Sequence, residues 1–184
     1  MRAEDMGEDL AKVLLTEADI AAKLDDMAAQ IDADYAGQEV LLLGVLNGAV
    51  MVMADLSRRL STRCTMDWMA VSSYGSGTKS SGVVRILKDL TTDVHGKHVL
   101  IVEDIIDSGL TLQWLVRNLA AREPASLKIA TLLRKPEAAK VDIDVDYCGF
   151  DIPNEFVVGY GLDYAGYYRN LPFIGTLAPH VYGG

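Results

Sequence analysis

Two short, uninterrupted apolar runs constrain the fold of this chain more than any other feature. They lie within residues 39–46 and 98–103, and each is followed by a turn and a helical pattern. A run without a polar face predicts a strand buried on both faces, as in a parallel sheet. The alternation predicts an α/β fold, with a mostly parallel central sheet and helices on both faces. The other predicted strands are 65–71, 83–87, 127–133 and 156–160, and the predicted helices include 49–60 and 112–122.

Two further patterns complete this predicted architecture. Thr16, with Asp19 three positions later, resembles a capping box at the start of a helix that ends at Gly37. The aspartates of residues 142–146 imitate the start of a calcium loop, but Tyr147 stands at the position that requires glycine. We therefore expect an edge strand there, with its acidic side chains facing water.

The connection between the strand at 98–103 and the next helix predicts an anion-binding loop. It reads Asp107-Ser-Gly-Leu-Thr111. The free amides and the positive end of the helix both favour a bound anion at this point. Gly109 permits a turn that other residues resist, and the hydroxyls of Ser108 and Thr111 can donate to phosphate oxygens. A simple helix cap is the alternative interpretation of Asp107 or Ser108.

Three carboxylates adjoin this loop, and a helix cap does not explain them. Glu103 and Asp104 precede the loop, and Asp107 opens it. A divalent metal ion, sugar hydroxyls donating to Glu103 and Asp104, or proton abstraction by Asp107 would each account for acids around a bound anion. Together these reasons describe a phosphorylated sugar with free hydroxyls, held with magnesium.

Charge and cysteine usage exclude several classes of function. The chain has 17 basic and 26 acidic residues, and the net charge of −9 disfavours general binding of DNA or RNA. Cys64 and Cys148 form neither a disulfide framework nor a metal motif, so a cytoplasmic location is expected. The longest uncharged run, 40–54, is shorter than the roughly 20 residues that cross a bilayer, so no membrane association is expected.

Residues 72–82 interrupt the alternation of strands and helices. This segment contains five serines and three glycines, a composition that cannot bury itself. It predicts a flexible loop. The loop is either an ordinary hairpin connection or a lid that closes over a substrate and excludes water.

The strand, the paired acids and the Asp-Ser-Gly-x-Thr loop resemble the phosphoribosyl-pyrophosphate motif of type I phosphoribosyltransferases. The wider chain is similar to the hypoxanthine-guanine branch of that family over nearly its whole length. The resemblance implies a single domain over residues 1–184, with a small hood built from N- and C-terminal segments. The segments that carry the similarity are 72–75, 86–89, 131–135, 153–163 and 168–169.

The resemblance also implies roles at the sugar-phosphate site. The loop at 107–111 would hold the 5-phosphate. Leu110 belongs to this loop, but we assign no chemical role to its side chain. Glu103 and Asp104 would engage the ribose hydroxyls. Asp107 becomes the candidate catalytic base for the purine ring proton.

For the purine, the resemblance implies a second set of residues. Lys135 would donate to the exocyclic oxygen of a 6-oxopurine, and Phe156 would stack on its ring. Val157 would offer backbone groups to the base edge, and Asp163 would also belong to the purine-binding set. A solvated lysine and an ordinary core aromatic are the alternative interpretations of Lys135 and Phe156.

The pyrophosphate would be held by a third set. Asn47 and Gly48 form the first loop, which in the family binds through backbone amides and often contains a non-proline cis bond. The family usually has Lys or Arg where this chain has Asn47, so weaker pyrophosphate binding or subunit contacts are expected if that cation acts directly. Arg169 would bind the pyrophosphate as well. The resemblance implies Mg²⁺ as the cofactor, with candidate ligands Glu103, Asp104 and Asp163.

The resemblance implies transfer of the 5-phosphoribosyl group from phosphoribosyl pyrophosphate to hypoxanthine or guanine, giving IMP or GMP. Ser73 and Tyr74 would belong to the lid over the reacting centre, and the protein would be a homodimer or homotetramer. The alternative function is a regulatory module of the same fold that binds nucleotides and RNA. Transfer to adenine or a pyrimidine is opposed only by Lys135 and the segment around Phe156.

Overall fold

The structure, a computed structural model, describes residues 1–73 and 84–183, and this part of the chain contains nine strands and four α-helices. The strands are β1 (Leu10–Leu15), β2 (Glu39–Leu46), β3 (Arg63–Ser73), β4 (Val84–Lys88), β5 (His98–Ile106), β6 (Ser126–Arg134), β7 (Tyr147–Asp151), β8 (Val157–Val158) and β9 (Ile174–Leu177). The helices are α1 (Glu17–Asp34), α2 (Val50–Ser57), α3 (Leu110–Ala120) and α4 (Pro179–Tyr182).

Six strands form the central sheet, in the order β4-β3-β2-β5-β6-β7. All neighbours in it are parallel except β4, which pairs with β3 in the antiparallel direction. The predicted α/β fold with a mostly parallel sheet is therefore confirmed. Strand β5, which leads into the predicted anion loop, lies in the middle of the sheet.

Helices cover both faces of the sheet because alternate side chains of the central strands point to opposite sides. Leu42 of β2 packs with α1 and α2, whereas its neighbours Leu41 and Leu43 pack with α3. All three side chains are buried. The predicted capping box at the start of α1 is confirmed, since the Asp19 amide donates to Thr16 Oγ1 at 3.1 Å and the Thr16 amide donates to Asp19 Oδ2 at 2.9 Å.

A second, three-stranded sheet has the order β1-β9-β8. Strand β1 pairs antiparallel with β9, so that Leu15 lies opposite Ile174. The sequence analysis predicted neither strand. Each is short, and each is stabilised by a partner that lies far away along the chain.

Two predicted strands were wrong in extent. Strand β8 contains only two residues, because Gly159, Tyr160 and Gly161 have φ values of 100°, 50° and 101° that end extended structure. The edge strand predicted at 142–146 is absent from the described structure, and β7 begins only at Tyr147. The aspartates at 142, 144 and 146 are exposed, as expected, but the Ile129 amide donates to the Asp146 side chain at 2.8 Å.

Candidate active site

The predicted anion loop lies between β5 and α3 and surrounds a cavity of about 150 Å³. Gly109 precedes the first helical residue and has a φ of 79°, a conformation that favours glycine. Leu110 begins α3. The first turn of α3 therefore directs its free amides towards this cavity. Its lining includes Glu103, Asp107, Ser108, Gly109 and Thr111.

Neighbouring residues hold the loop in place from outside. The Lys140 amide donates to the Ser108 carbonyl at 2.9 Å. A β-carbon on Gly109 would lie 3.0 Å from Val141 Cγ2 and 3.1 Å from Ile143 Cδ1. Residues 140–143 thus support the loop, and a side chain at Gly109 would be in close contact with Val141 and Ile143.

Glu103 and Asp104 lie next to each other on β5, so their side chains leave opposite faces of the sheet. Glu103 lines the cavity at 107–111, whereas Asp104 lies against Gly48. Burial, and then the neighbouring Asp104 carboxylate, raise the pKa of Glu103 well above its ordinary value. The predicted acidic pair is therefore divided between two parts of the site.

Asp104 has a raised pKa as well. Burial raises the pKa of Asp104 to about 6, although the hydrogen bond from the Ile105 amide and the positive charge of Arg169 oppose this increase. The Ile105 amide donates to Asp104 Oδ1 at 2.8 Å. Two neighbouring carboxylates with raised pKa values, one buried and one partly buried, make this end of β5 a place where a cation would stabilise the ionised forms.

The first loop contacts both the end of β5 and the segment after β8. The peptide bond between Leu46 and Asn47 is cis. A β-carbon on Gly48 would overlap the Asp104 carboxylate, and one on Gly161 would overlap the Gly48 carbonyl oxygen. Gly48 thus lies against the Asp104 side chain and against the backbone of Gly161, two groups that are far from it in sequence.

Asp163 and Arg169 form an ion pair beside these segments. Arg169 Nη2 lies 2.8 Å from Asp163 Oδ1, and Arg169 Nη1 donates to the Gly161 carbonyl at 2.7 Å. The Gly166 amide donates to Asp163 Oδ2 at 2.8 Å. This ion pair fixes both side chains near Asp104.

Lys135 is buried, with 7% of its surface exposed, and its Nζ lies 3.6 Å from Asp107 Oδ2. Its amide donates to the Ile106 carbonyl at 3.0 Å. A solvated surface lysine is therefore the wrong interpretation of Lys135. The structure brings the candidate purine donor and the candidate base together.

Phe156 immediately precedes β8, and Val157 is the first residue of this strand, which belongs to the smaller sheet. Val157 is buried, whereas Phe156 is 37% exposed, so Phe156 is not an ordinary core aromatic. Ser73 ends β3, and Tyr74 lies outside the described residues.

Comparison with known proteins identifies the family. The model of the phosphoribosyl transferase domain matches residues 12–165. A hypoxanthine-guanine phosphoribosyltransferase of Mycobacterium tuberculosis (strain ATCC 25618 / H37Rv) is 56% identical over 180 residues, which are 95% of this chain and 89% of the relative. The chain belongs to the hypoxanthine-guanine phosphoribosyltransferase family.

Other members of this transferase family agree in sequence and in structure. The hypoxanthine-guanine phosphoribosyltransferase of Bacillus subtilis (strain 168) is 52% identical over 177 residues, which are 96% of this chain and 98% of the relative. A crystal structure of a hypoxanthine phosphoribosyltransferase from Staphylococcus aureus has a TM-score of 0.95 at 48% identity and covers all of both chains. The regulatory alternative finds no support in these comparisons.

Enzymes of the hypoxanthine-guanine phosphoribosyltransferase family use a metal ion in catalysis. Within residues 1–73 and 84–183, no group of three or more metal-ligating side chains is assembled. Magnesium usually binds through one or two carboxylates together with substrate phosphates. The carboxylates of Glu103 and Asp104 fit that mode, because they supply anionic oxygens without forming a complete cage.

The sequence analysis of this family member missed one link within the site. Tyr160 donates from its hydroxyl to Asp55 Oδ2 at 2.5 Å, and this bond joins α2 to the segment that contains Gly161. Helix α2 begins just after Gly48. The Gly-x-Gly spacing around Tyr160 was the available signal for a close backbone approach.

Within residues 1–73 and 84–183, no helix is both long and apolar enough to cross a membrane.

Proposed function

We propose that this enzyme transfers the 5-phosphoribosyl group of phosphoribosyl pyrophosphate to hypoxanthine or guanine, and thus acts in purine salvage. The observation that carries the proposal is the cavity at residues 107–111, which combines a helix N-terminus with a buried carboxylate in its wall. A phosphate group suits the free amides of α3 and the hydroxyls of Ser108 and Thr111. Glu103 is then available to accept hydrogen bonds from the attached sugar.

The pyrophosphate would lie on the Asp104 side of β5, beside Gly48 and away from the cavity that Glu103 lines. Backbone groups of Asn47 and Gly48 bind it there, and Arg169 supplies a forked cationic donor that suits phosphate geometry. Arg169 is held by Asp163 and by a backbone carbonyl, so little side-chain freedom is lost on binding.

The purine would bind between Lys135 and Phe156. Lys135 donates to the 6-oxo group, which distinguishes 6-oxopurines from 6-aminopurines, since a 6-amino group offers no acceptor there. The Phe156 ring stacks on the base, and backbone groups of Val157 bind its edge. Asp107 accepts the ring proton as the new glycosidic bond forms, and Lys135 keeps that carboxylate oriented.

Positive charge develops on the sugar as the bond to pyrophosphate breaks. The carboxylates of Glu103 and Asp104 stabilise this charge because they are fixed at the end of β5 before the reaction begins. Mg²⁺, with Glu103, Asp104 and Asp163 as candidate ligands, neutralises the charge of the pyrophosphate when it is bound. The lid role of Ser73 and Tyr74 stays a prediction.

A substrate panel tests this function. Purified protein is incubated with phosphoribosyl pyrophosphate, Mg²⁺ and one base at a time, and pyrophosphate release is measured. Hypoxanthine or guanine should give product, adenine and uracil should not, and EDTA should stop the reaction until Mg²⁺ is restored. Retention of RNA on a filter without pyrophosphate release would instead favour the regulatory alternative.

We also propose a cytoplasmic homodimer or homotetramer. Cys64 and Cys148 are free, which suits a reducing compartment. Met66 and Leu87, on β3 and β4, are exposed apolar side chains that a second subunit would cover. Light scattering coupled to gel filtration measures the mass directly, and a monomer would refute this part of the proposal.

A further inference from the structure

We propose that Tyr182, near the C-terminus, is a positioning residue that supports the rear face of the Phe156 ring and orients it for the 6-oxopurine. The two rings are stacked, with centroids 5.1 Å apart and an interplanar angle of 23°. This inference rests on the proposed function, because it assigns a supporting role to a residue that we place beside the base.

Phe156 needs such support because the backbone around it is only partly fixed. The residue precedes the two-residue strand β8, and its carbonyl accepts a single hydrogen bond, from the Leu177 amide at 3.2 Å. That bond holds the main chain but not the side-chain rotamer. The stacked Tyr182 and the edge-on Tyr164, whose ring centroid lies 5.7 Å away at 90°, restrict the ring.

The ring contacts leave surface for a ligand. Phe156 is 37% exposed, although Tyr182 covers one of its faces. A purine on the other face would complete a stack of three rings, each with an attractive offset or parallel geometry. A ring held in the bound orientation before the base arrives loses less freedom on binding, which increases affinity for the base.

Helix α4, which carries Tyr182, is held by contacts that do not involve Phe156. The Tyr164 hydroxyl donates to the Val181 carbonyl at 3.0 Å. The Ala178 amide, just before α4, donates to the Asp9 carbonyl at 2.8 Å, and His180 Nε2 lies 3.3 Å from an Asp9 carboxylate oxygen. Both ends of this short helix are therefore attached, and Tyr182 is 41% exposed, so its ring is not needed for core packing.

The test compares KM values for hypoxanthine and for phosphoribosyl pyrophosphate in full-length variants. Tyr182→Ala should raise the hypoxanthine KM by about three- to tenfold, the effect expected for loss of one aromatic pair. The KM for phosphoribosyl pyrophosphate should stay within a factor of about two, because that substrate contacts other residues. Tyr182→Phe keeps the ring and should restore the parent value.

Two controls separate ring stacking from helix docking. His180→Ala removes a contact of the same helix without removing a ring, and its hypoxanthine KM should match that of the parent. In a Phe156→Leu background, Tyr182→Ala should cause no further increase, because the ring through which it acts is gone. If Tyr182→Ala does not fold, Tyr182→Leu keeps an apolar side chain and serves for the same comparison.

Several results would overturn the inference. An unchanged or lower hypoxanthine KM in Tyr182→Ala would mean that Tyr182 is irrelevant or occupies the position of the base. Equal effects in the parent and in the Phe156→Leu background, or an equal rise for His180→Ala, would mean that Tyr182 does not act through the Phe156 ring. If the parent protein releases no pyrophosphate with either 6-oxopurine, the proposed function has failed instead.

Discussion

Gly48 lies directly against the carboxylate of Asp104, and no β-carbon fits between them. This contact joins the first loop to the end of the central strand β5. Gly48 is also close to another segment, since a β-carbon on Gly161 would overlap the Gly48 carbonyl oxygen. The position of the loop is therefore determined on two sides by groups that belong to the candidate site.

Gly48→Ala should damage the site without straining its own backbone, because Gly48 is not among the residues with positive φ. The added methyl group must displace the loop or Asp104. A displacement of about 1 Å can reduce turnover by roughly 100-fold, so we expect a loss of that order in kcat/KM for phosphoribosyl pyrophosphate. Steady-state kinetics and a thermal melt measure both effects.

The double variant Gly48→Ala/Asp104→Ala provides the control for this steric argument. Removal of the carboxylate makes room for the methyl group, so Tm should recover relative to Gly48→Ala alone. Activity should not recover, because Asp104 is itself part of the site. Parent-like kinetics for Gly48→Ala would show that the contact has no role in positioning the loop.

Asp107→Asn should reduce kcat by about 10²–10⁴-fold, because an amide cannot accept the purine ring proton. The variant should still bind IMP, since the cavity and the amides of α3 stay intact. Calorimetry measures the binding and pyrophosphate release measures the rate. Asp144→Asn, an exposed acid in the adjacent segment, is the matched control. Unchanged kcat in Asp107→Asn would remove the base assignment.

Lys135→Ala should weaken the use of hypoxanthine and guanine selectively. A charged hydrogen bond is worth enough that the KM for these bases should rise by about 10- to 100-fold. Binding of phosphoribosyl pyrophosphate should change much less. The exposed Lys140 offers a control, as Lys140→Ala removes an equal charge outside the site. An equal loss for every base tested would indicate a structural role.

Asp67→Asn should lower stability in a pH-dependent manner. Burial alone would raise the pKa of Asp67, but hydrogen bonds from the amides of Trp68 and Thr92 and from Thr91 hold it below its usual range. The folded state therefore favours the ionised form more than the unfolded state does. At neutral pH the variant should lose about 1.5–3 kcal/mol of unfolding free energy, the range for hydrogen bonds to a charged group.

The sign of the pH effect follows from that lowered pKa. The stabilisation is complete above about pH 5. It is lost progressively as the pH falls from about 4, where the unfolded carboxyl takes up a proton, towards the lower pKa of the folded carboxyl. Urea unfolding at several pH values should therefore show the parent and Asp67→Asn converging in acid. Asp26→Asn, an exposed acid on α1, should show no such convergence. A constant difference at every pH would contradict the assignment.

Much of the site could be predicted because its central part is local in sequence. The loop at 107–111 follows its strand and precedes its helix without interruption, so turn geometry, free amides and acidic neighbours can be read along one stretch. The division of Glu103 and Asp104 between two sides of β5 could also have been expected from the alternation of side chains. The alternation does not identify the groups that surround each carboxylate in the folded protein.

The sequence by itself determined the local elements with a clear pattern: apolar runs that must be buried as parallel strands, the capped helix α1, and the turn at residues 107–111 before α3. Only the tertiary structure decided which distant segments meet. The contact of Gly48 with Asp104 and Gly161, the pairing of β1 with β9, and the stack of Tyr182 on Phe156 all join parts far apart in the chain. Local periodicity reports which face of an element is buried. Which element packs against that face depends on the packing of the whole chain. Several pairings of elements would satisfy the same periodicity, and close backbone approach and side-chain shape decide which of them forms.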